Sequence, residues 1–205
     1  MYVHKLSLIR KMNKKEQFIF YASPEKWFHS ALELHKSIEE LYRKRNDLFY
    51  RRLHYYHDEN DVTISGHSKA TYLLMSYTLE NLLKGIAVLF NPSFVNKGKI
   101  DSHIKTHDLN SLCKLNGFEI NKDQEEFQSL LSDQCVSSAR YPVGPNEHSS
   151  LKDPRFKDQD YILFQTLFEK YKKHLAKNFN GLGWNSGFEN PKLNTNPGDW
   201  NYEEK

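Results

Sequence analysis

Cysteine is scarce. The 205-residue chain holds two, Cys113 and Cys135, and a secreted disulfide scaffold carries more. Both fall on expected helices and read as reduced core thiols. No apolar run approaches the roughly 20 residues that span a bilayer, so no membrane partner is expected. The basic start, MYVHKLSLIRKMNKK, lacks a signal-peptide core, and a cytoplasmic location is the default expectation. Internal repeats are missing. Gly66–Lys69 is not expected to be a phosphate-binding loop, because the glycine of P-loop spacing is absent and no strand is expected before it. No Ser-His-Asp or Cys-His signature appears. His103 and His107 are four apart, a zinc spacing on one helix. Thr106 reads as a cap that leaves His103 outside the helix, and no cysteine or third histidine stands nearby in sequence. No metal and no cofactor are therefore expected.

Hydrophobic residues make up 38% and aromatics 14% of the chain, enough for one domain whose core is rich in Phe and Tyr. Net charge is +3, but it is unevenly spread. Residues 1–52 hold 12 Lys/Arg against 6 Asp/Glu, and the rest holds 17 against 20. A positive end on a nearly neutral body fits an anionic partner such as nucleic acid, and also fits a solvated helix face.

The organising stretch is Ser65 to Pro92. Tyr72, Met75, Leu79, Leu82, Leu83, Ile86, Leu89 and Phe90 recur at the helical period. Ser65 is the expected N-cap, and Asn91-Pro92 the stop. Glu80 and Lys84 sit four apart in the order that pairs across one turn.

Ser23-Pro24 opens an earlier helix, whose stripe continues to about Tyr56 and predicts more than 30 residues. Arg43, Lys44, Arg45, Arg51 and Arg52 then share its opposite face. Thr106 caps a short helix that stops at Gly117. Asn121 and Gln124 resemble a capping box for a helix ending at Tyr141-Pro142. Asp153-Pro154 starts the last helix. Residues 1–23 read as an arm, with Gln17–Tyr21 strand-like or simply buried. Residues 179–205 form a Gly/Asn/Pro-rich tail whose Trp184 and Trp200 are expected to dock on the helices. No strand is expected in the body. The expected class is all-α: an antiparallel up-and-down four-helix bundle over residues 24–178, with one additional short helix.

Three fragments carry a resemblance: Leu79-Glu80 followed by Leu83-Lys84, His107-Asp108-Leu109 opening the short helix, and Ala139-Arg140-Tyr141-Pro142 ending the next. In that order and on those elements, the chain resembles the HEPN superfamily of small helical domains, over roughly Ser65 to Leu175. The resemblance gives Glu80, Lys84, His107 and Asp108 structural roles. It implies binding of RNA or a nucleotide through Arg140 and Tyr141, helped by the basic residues Arg43, Arg45, Arg51 and Arg52. It further implies a homodimer, and in toxin–antitoxin or anti-phage systems an antitoxin nucleotidyltransferase as partner.

Many HEPN domains are metal-independent ribonucleases whose motif is Arg, a polar residue, then His after four to six intervening residues. Here Arg140 precedes Tyr141-Pro142, and His148 follows with seven residues between. A histidine near working pH moves protons, and an arginine holds phosphate. Arg140 and His148 are thus the catalytic candidates. The departure from the motif ranks binding ahead of catalysis, with a structural or scaffold role as the third reading.

Overall fold

The computed structural model describes residues 12–45, 48–52, 61–65, 68–136, 156–200 and 202, and of residues 48–52, 61–65 and 68 the backbone alone. The chain is mostly helical, in the all-α class. Its elements are α1 (Lys14–Tyr21), α2 (Pro24–Arg43), β1 (Leu48–Arg52), β2 (Asp61–Ser65), α3 (Ser68–Phe90), α4 (Leu109–Leu115), α5 (Lys122–Val136), α6 (Asp158–Leu182), β3 (Trp184–Asn185) and β4 (Asn194–Thr195).

Helix α3 is the central element. Tyr72, Met75, Leu79, Leu82, Leu83, Ile86 and Leu89 are buried as the periodicity predicts, while Phe90 is exposed. The burial is broader than one stripe: every residue from Leu82 to Leu89 is buried. The cause is that α2, α4, α5 and α6 all pack against α3, and a helix enclosed on all sides is apolar all round. Each fully buried leucine contributes about 1.5–3 kcal/mol. Residues Lys69–Phe90 have the length and composition of a membrane span, which the sequence reading did not credit, but 72% of the most apolar window is buried inside the fold.

Gly85 sets how closely the helices approach. A Cβ there would lie 2.9 Å from Leu175 Cδ2 on α6 and 3.0 Å from Trp27 Cβ on α2. The helix accepts the propensity cost of glycine because a side chain would wedge three helices apart.

Several local expectations change. The helix begun at Ser23-Pro24 ends at Arg43, not near Tyr56. Leu48–Arg52 instead pairs antiparallel with Asp61–Ser65, with Leu48 opposite Ser65 and Arg52 opposite Asp61. Phe49, Tyr50, Val62, Thr63 and Ile64 are aromatic or β-branched residues that suit a pleated ladder, and that preference overrides the helical spacing of Leu48 and Phe49. Ser65 is therefore the last residue of β2, not the N-cap of α3. Gln17–Tyr21 lies in α1, because Asn13 and Glu16 form a capping box with both reciprocal bonds, at 2.9 and 3.0 Å. The capping pair expected at Asn121 and Gln124 forms, at 2.9 and 3.3 Å. The cap of α4 is Asp108, two residues beyond Thr106, and the cap of α6 is Lys157, not Asp153.

The C-terminal segment is held on the helices. The Trp184 indole N–H donates to the Val88 carbonyl of α3 at 3.0 Å, and Trp200 meets the rings of Phe28 and Phe179 at 5.0 and 4.8 Å. Asn190 donates to Glu16 of α1 at 3.0 Å, joining the two ends of the chain.

Replacing Gly85 with alanine is expected to destabilise the protein by about 1–3 kcal/mol, the usual cost of overpacking a core. Urea denaturation checks this; an unchanged midpoint would show that the three helices separate freely at this crossing.

Candidate functional site

The site is built from α3, the segment before α4, and α5. On α3, Glu80 and Lys84 are buried, with relative exposures of 6% and 5%. The Lys84 ammonium donates to Glu80 Oε1 at 2.6 Å. His107 Nδ1 lies 2.8 Å from the other carboxylate oxygen, Oε2. Lys84, Glu80 and His107 thus form one charge-assisted chain across 27 residues of sequence. Two buried charges lose hydration worth several kcal/mol each, and only close, fully bonded geometry offsets it.

His107 differs from the pair beneath it. Its side chain is 43% exposed, against 8% for Glu80, so the chain runs from the core to the surface. The buried Cys135 Sγ approaches the same Nδ1 at 3.6 Å. Glu80, His107 and Cys135 each place one ligand-type atom within 4.8 Å of the others. Cys135 therefore lies at this cluster and not merely in the core packing. The tertiary fold alone reveals that, since 28 residues separate Cys135 from His107. Cys113 does behave as a core thiol: it contacts Tyr171 Oη at 3.0 Å and donates to Gln128 Oε1 at 3.1 Å. Burial pushes the Cys113 thiol up and keeps it protonated.

Beside the cluster is a cavity of about 570 Å³, lined by Thr106, His107 and Asp108 and by Ser129, Ser132, Asp133 and Val136. The last four recur at i, i+3, i+4 and i+7, one face of α5. Ser132 accepts the Leu109 backbone N–H at 3.1 Å and so ties α5 to the start of α4. Asp108 accepts the Ser111 backbone N–H at 3.1 Å and its hydroxyl. Burial pushes the Asp108 carboxyl up, but the bonds from Ser111 and Asn110 outweigh it and hold it below the usual aspartate range. Ser76, one helical turn before Glu80, has a buried hydroxyl without a hydrogen-bond partner among the described residues.

The basic residues do not share one helix face. Arg43 pairs with Glu40. Arg45 pairs with Asp158 at 2.8 Å and lies over the Tyr42 ring at 4.1 Å. Arg51 and Arg52 belong to β1. The hairpin divides the stripe that a single long helix would have presented. His103 bonds Asp101 at 2.6 Å, outside α4 as expected. Arg140, Tyr141 and His148 lie outside the described residues.

No protein-family model, no curated protein and no solved structure matches this chain. Its chemistry is therefore read from its own residues.

Lys84→Met takes the ammonium from the buried Glu80 carboxylate and leaves it His107 alone, an expected cost of up to about 3–5 kcal/mol, while Lys84→Met with Glu80→Leu recovers most of it; urea denaturation measures both. A double variant as unstable as the single one would deny the pair its coupling. Asp108 has a folded pKa below its unfolded one. Its stabilisation is thus present above the unfolded value, about 3.9, and is lost as pH falls through the folded value. Asp108→Ala should cost about 1 kcal/mol near neutral pH, with the gap from wild type closing under strong acid in thermal melts.

Proposed function

We propose that this chain is a HEPN-like domain, an antiparallel four-helix bundle with a short additional helix, that binds RNA or a nucleotide. The observation that carries the reading is the Lys84–Glu80–His107 chain beside the cavity. Two fragments that shared only order in the sequence meet there as one cluster. The third fragment, ending in Arg140-Tyr141, begins three residues after the last residue of α5, whose face lines the same cavity.

A volume of about 570 Å³ falls within the range of small-molecule sites. The described lining carries hydroxyls and two carboxylates, which suit the amino groups of a base and the hydroxyls of a ribose. Such a wall repels phosphate. The phosphate contact therefore falls to Arg140, whose planar guanidinium grips two oxygens at once, and Tyr141 offers a face for a base. Arg43 and Arg45 hold carboxylates, and this reading gives Arg51 and Arg52 of β1 the role of auxiliary phosphate contacts. Within this reading the domain works as a homodimer, in a toxin–antitoxin or anti-phage pair with a nucleotidyltransferase.

Fluorescence anisotropy with a short single-stranded RNA and with ATP tests the proposal. Binding should weaken steadily with added salt. Arg140→Ala should reduce it at least tenfold. Val136→Trp, which fills the cavity mouth from an exposed position, should reduce it without lowering the melting temperature. Absence of binding, or binding indifferent to salt and to Arg140, would overturn the assignment. The same RNA incubated in EDTA separates the enzymatic alternative: cleavage abolished by both Arg140→Ala and His148→Ala would make the chain a metal-independent ribonuclease.

A further inference from the structure

We propose that Glu80, His107 and Cys135 form a binding site for one zinc ion. The three donors are a carboxylate oxygen, an imidazole nitrogen and a sulfur, a set that favours zinc over magnesium or calcium. They come from α3, the segment before α4, and α5, so a bound ion ties three parts of the fold together.

The three donor atoms all lie within 4.8 Å of one another, and the two spacings at His107 are near those an ion requires. Zinc bonds of about 2.0–2.3 Å at tetrahedral angles put nitrogen and sulfur roughly 3.5 Å apart and nitrogen and oxygen roughly 3.3 Å apart. His107 Nδ1 and Cys135 Sγ are already 3.6 Å apart. Glu80 Oε2 and Nδ1 are 2.8 Å apart and need only open from a hydrogen bond to two metal bonds. Lys84 holds the other oxygen, Oε1, at 2.6 Å. It orients the carboxylate to offer Oε2 alone, the service that outer hydrogen bonds give metal ligands.

The protons balance. On binding, the Cys135 thiol releases its proton to solvent and its sulfur bonds the ion. The imidazole gives up the proton on Nδ1 and carries one on Nε2 instead, so its charge is unchanged. No oxidant or reductant is involved. Lys84 cancels the Glu80 charge, so the thiolate is the one uncompensated negative ligand. That predicts affinity rising with pH and weaker than in a site with several thiolates. Two of the ligands are buried and His107 opens on the cavity. The ion thus has an entry route past His107.

Zinc titration of the reduced, metal-free full-length chain against a chromophoric chelator tests this without any RNA, so its outcome is separate from nucleotide binding. One ion per chain is expected. Cys135→Ser and His107→Ala should each weaken binding at least tenfold, and Cys113→Ser should leave it unchanged, with circular dichroism confirming the helices of each variant. Cobalt added to the native chain should give a thiolate charge-transfer band in the near ultraviolet. No stoichiometric uptake, uptake indifferent to Cys135→Ser, or cobalt binding without that band would overturn the proposal, and the cobalt reading stands even if a variant fails to fold.

Discussion

The enclosure of α3 is the constraint on which the structure depends. A helix with every residue from Leu82 to Leu89 buried has no face left for water, so its neighbours must surround it. Gly85 permits close contact with α2 and α6 at one crossing, and Trp184 bonds to the Val88 carbonyl from the C-terminal segment. Placing a charged pair on such a helix is costly. The buried Glu80 and Lys84 are tolerated because they bond each other and because Glu80 has a second partner in His107.

That same cost gives the site its character. A carboxylate held between an ammonium and an imidazole has a defined orientation, and His107 carries the arrangement out to a half-exposed position beside the cavity. The rim adds hydroxyls from Ser129 and Ser132 and the carboxylate of Asp133. These groups sit on helices, whose backbone geometry fixes them more firmly than a loop would. The cavity lining is mixed in character and carries no lysine or arginine among the described residues, which is why the proposed function assigns a base or sugar to this wall and phosphate to arginine.

The parts legible in the sequence share one property: their cause is local. The apolar period of α3 follows from 3.6 residues per turn, and the Glu80–Lys84 spacing from the same geometry. The Asn121–Gln124 pair is visible because capping joins residues three apart. Asn13 and Glu16 offered that signal too, and it decides for helix at Gln17–Tyr21. The long-helix reading through Leu48 and Phe49 failed because their spacing fits a helix, while their pairing partner lies beyond a connection that periodicity does not reveal. The tail's aromatic residues declared a need for burial, and Trp200 meets it against Phe28 and Phe179.

What the sequence alone determined is a helical chain centred on one apolar helix, because hydrophobic periodicity and capping act between neighbours. The tertiary structure alone decided where α2 stops, that Arg45 pairs with Asp158, and that Cys135 and Glu80 meet at one imidazole nitrogen. The two contacts to that nitrogen span 27 and 28 residues of sequence. Distances between side chains on different helices are set by how whole elements pack, and no short-range pattern encodes them.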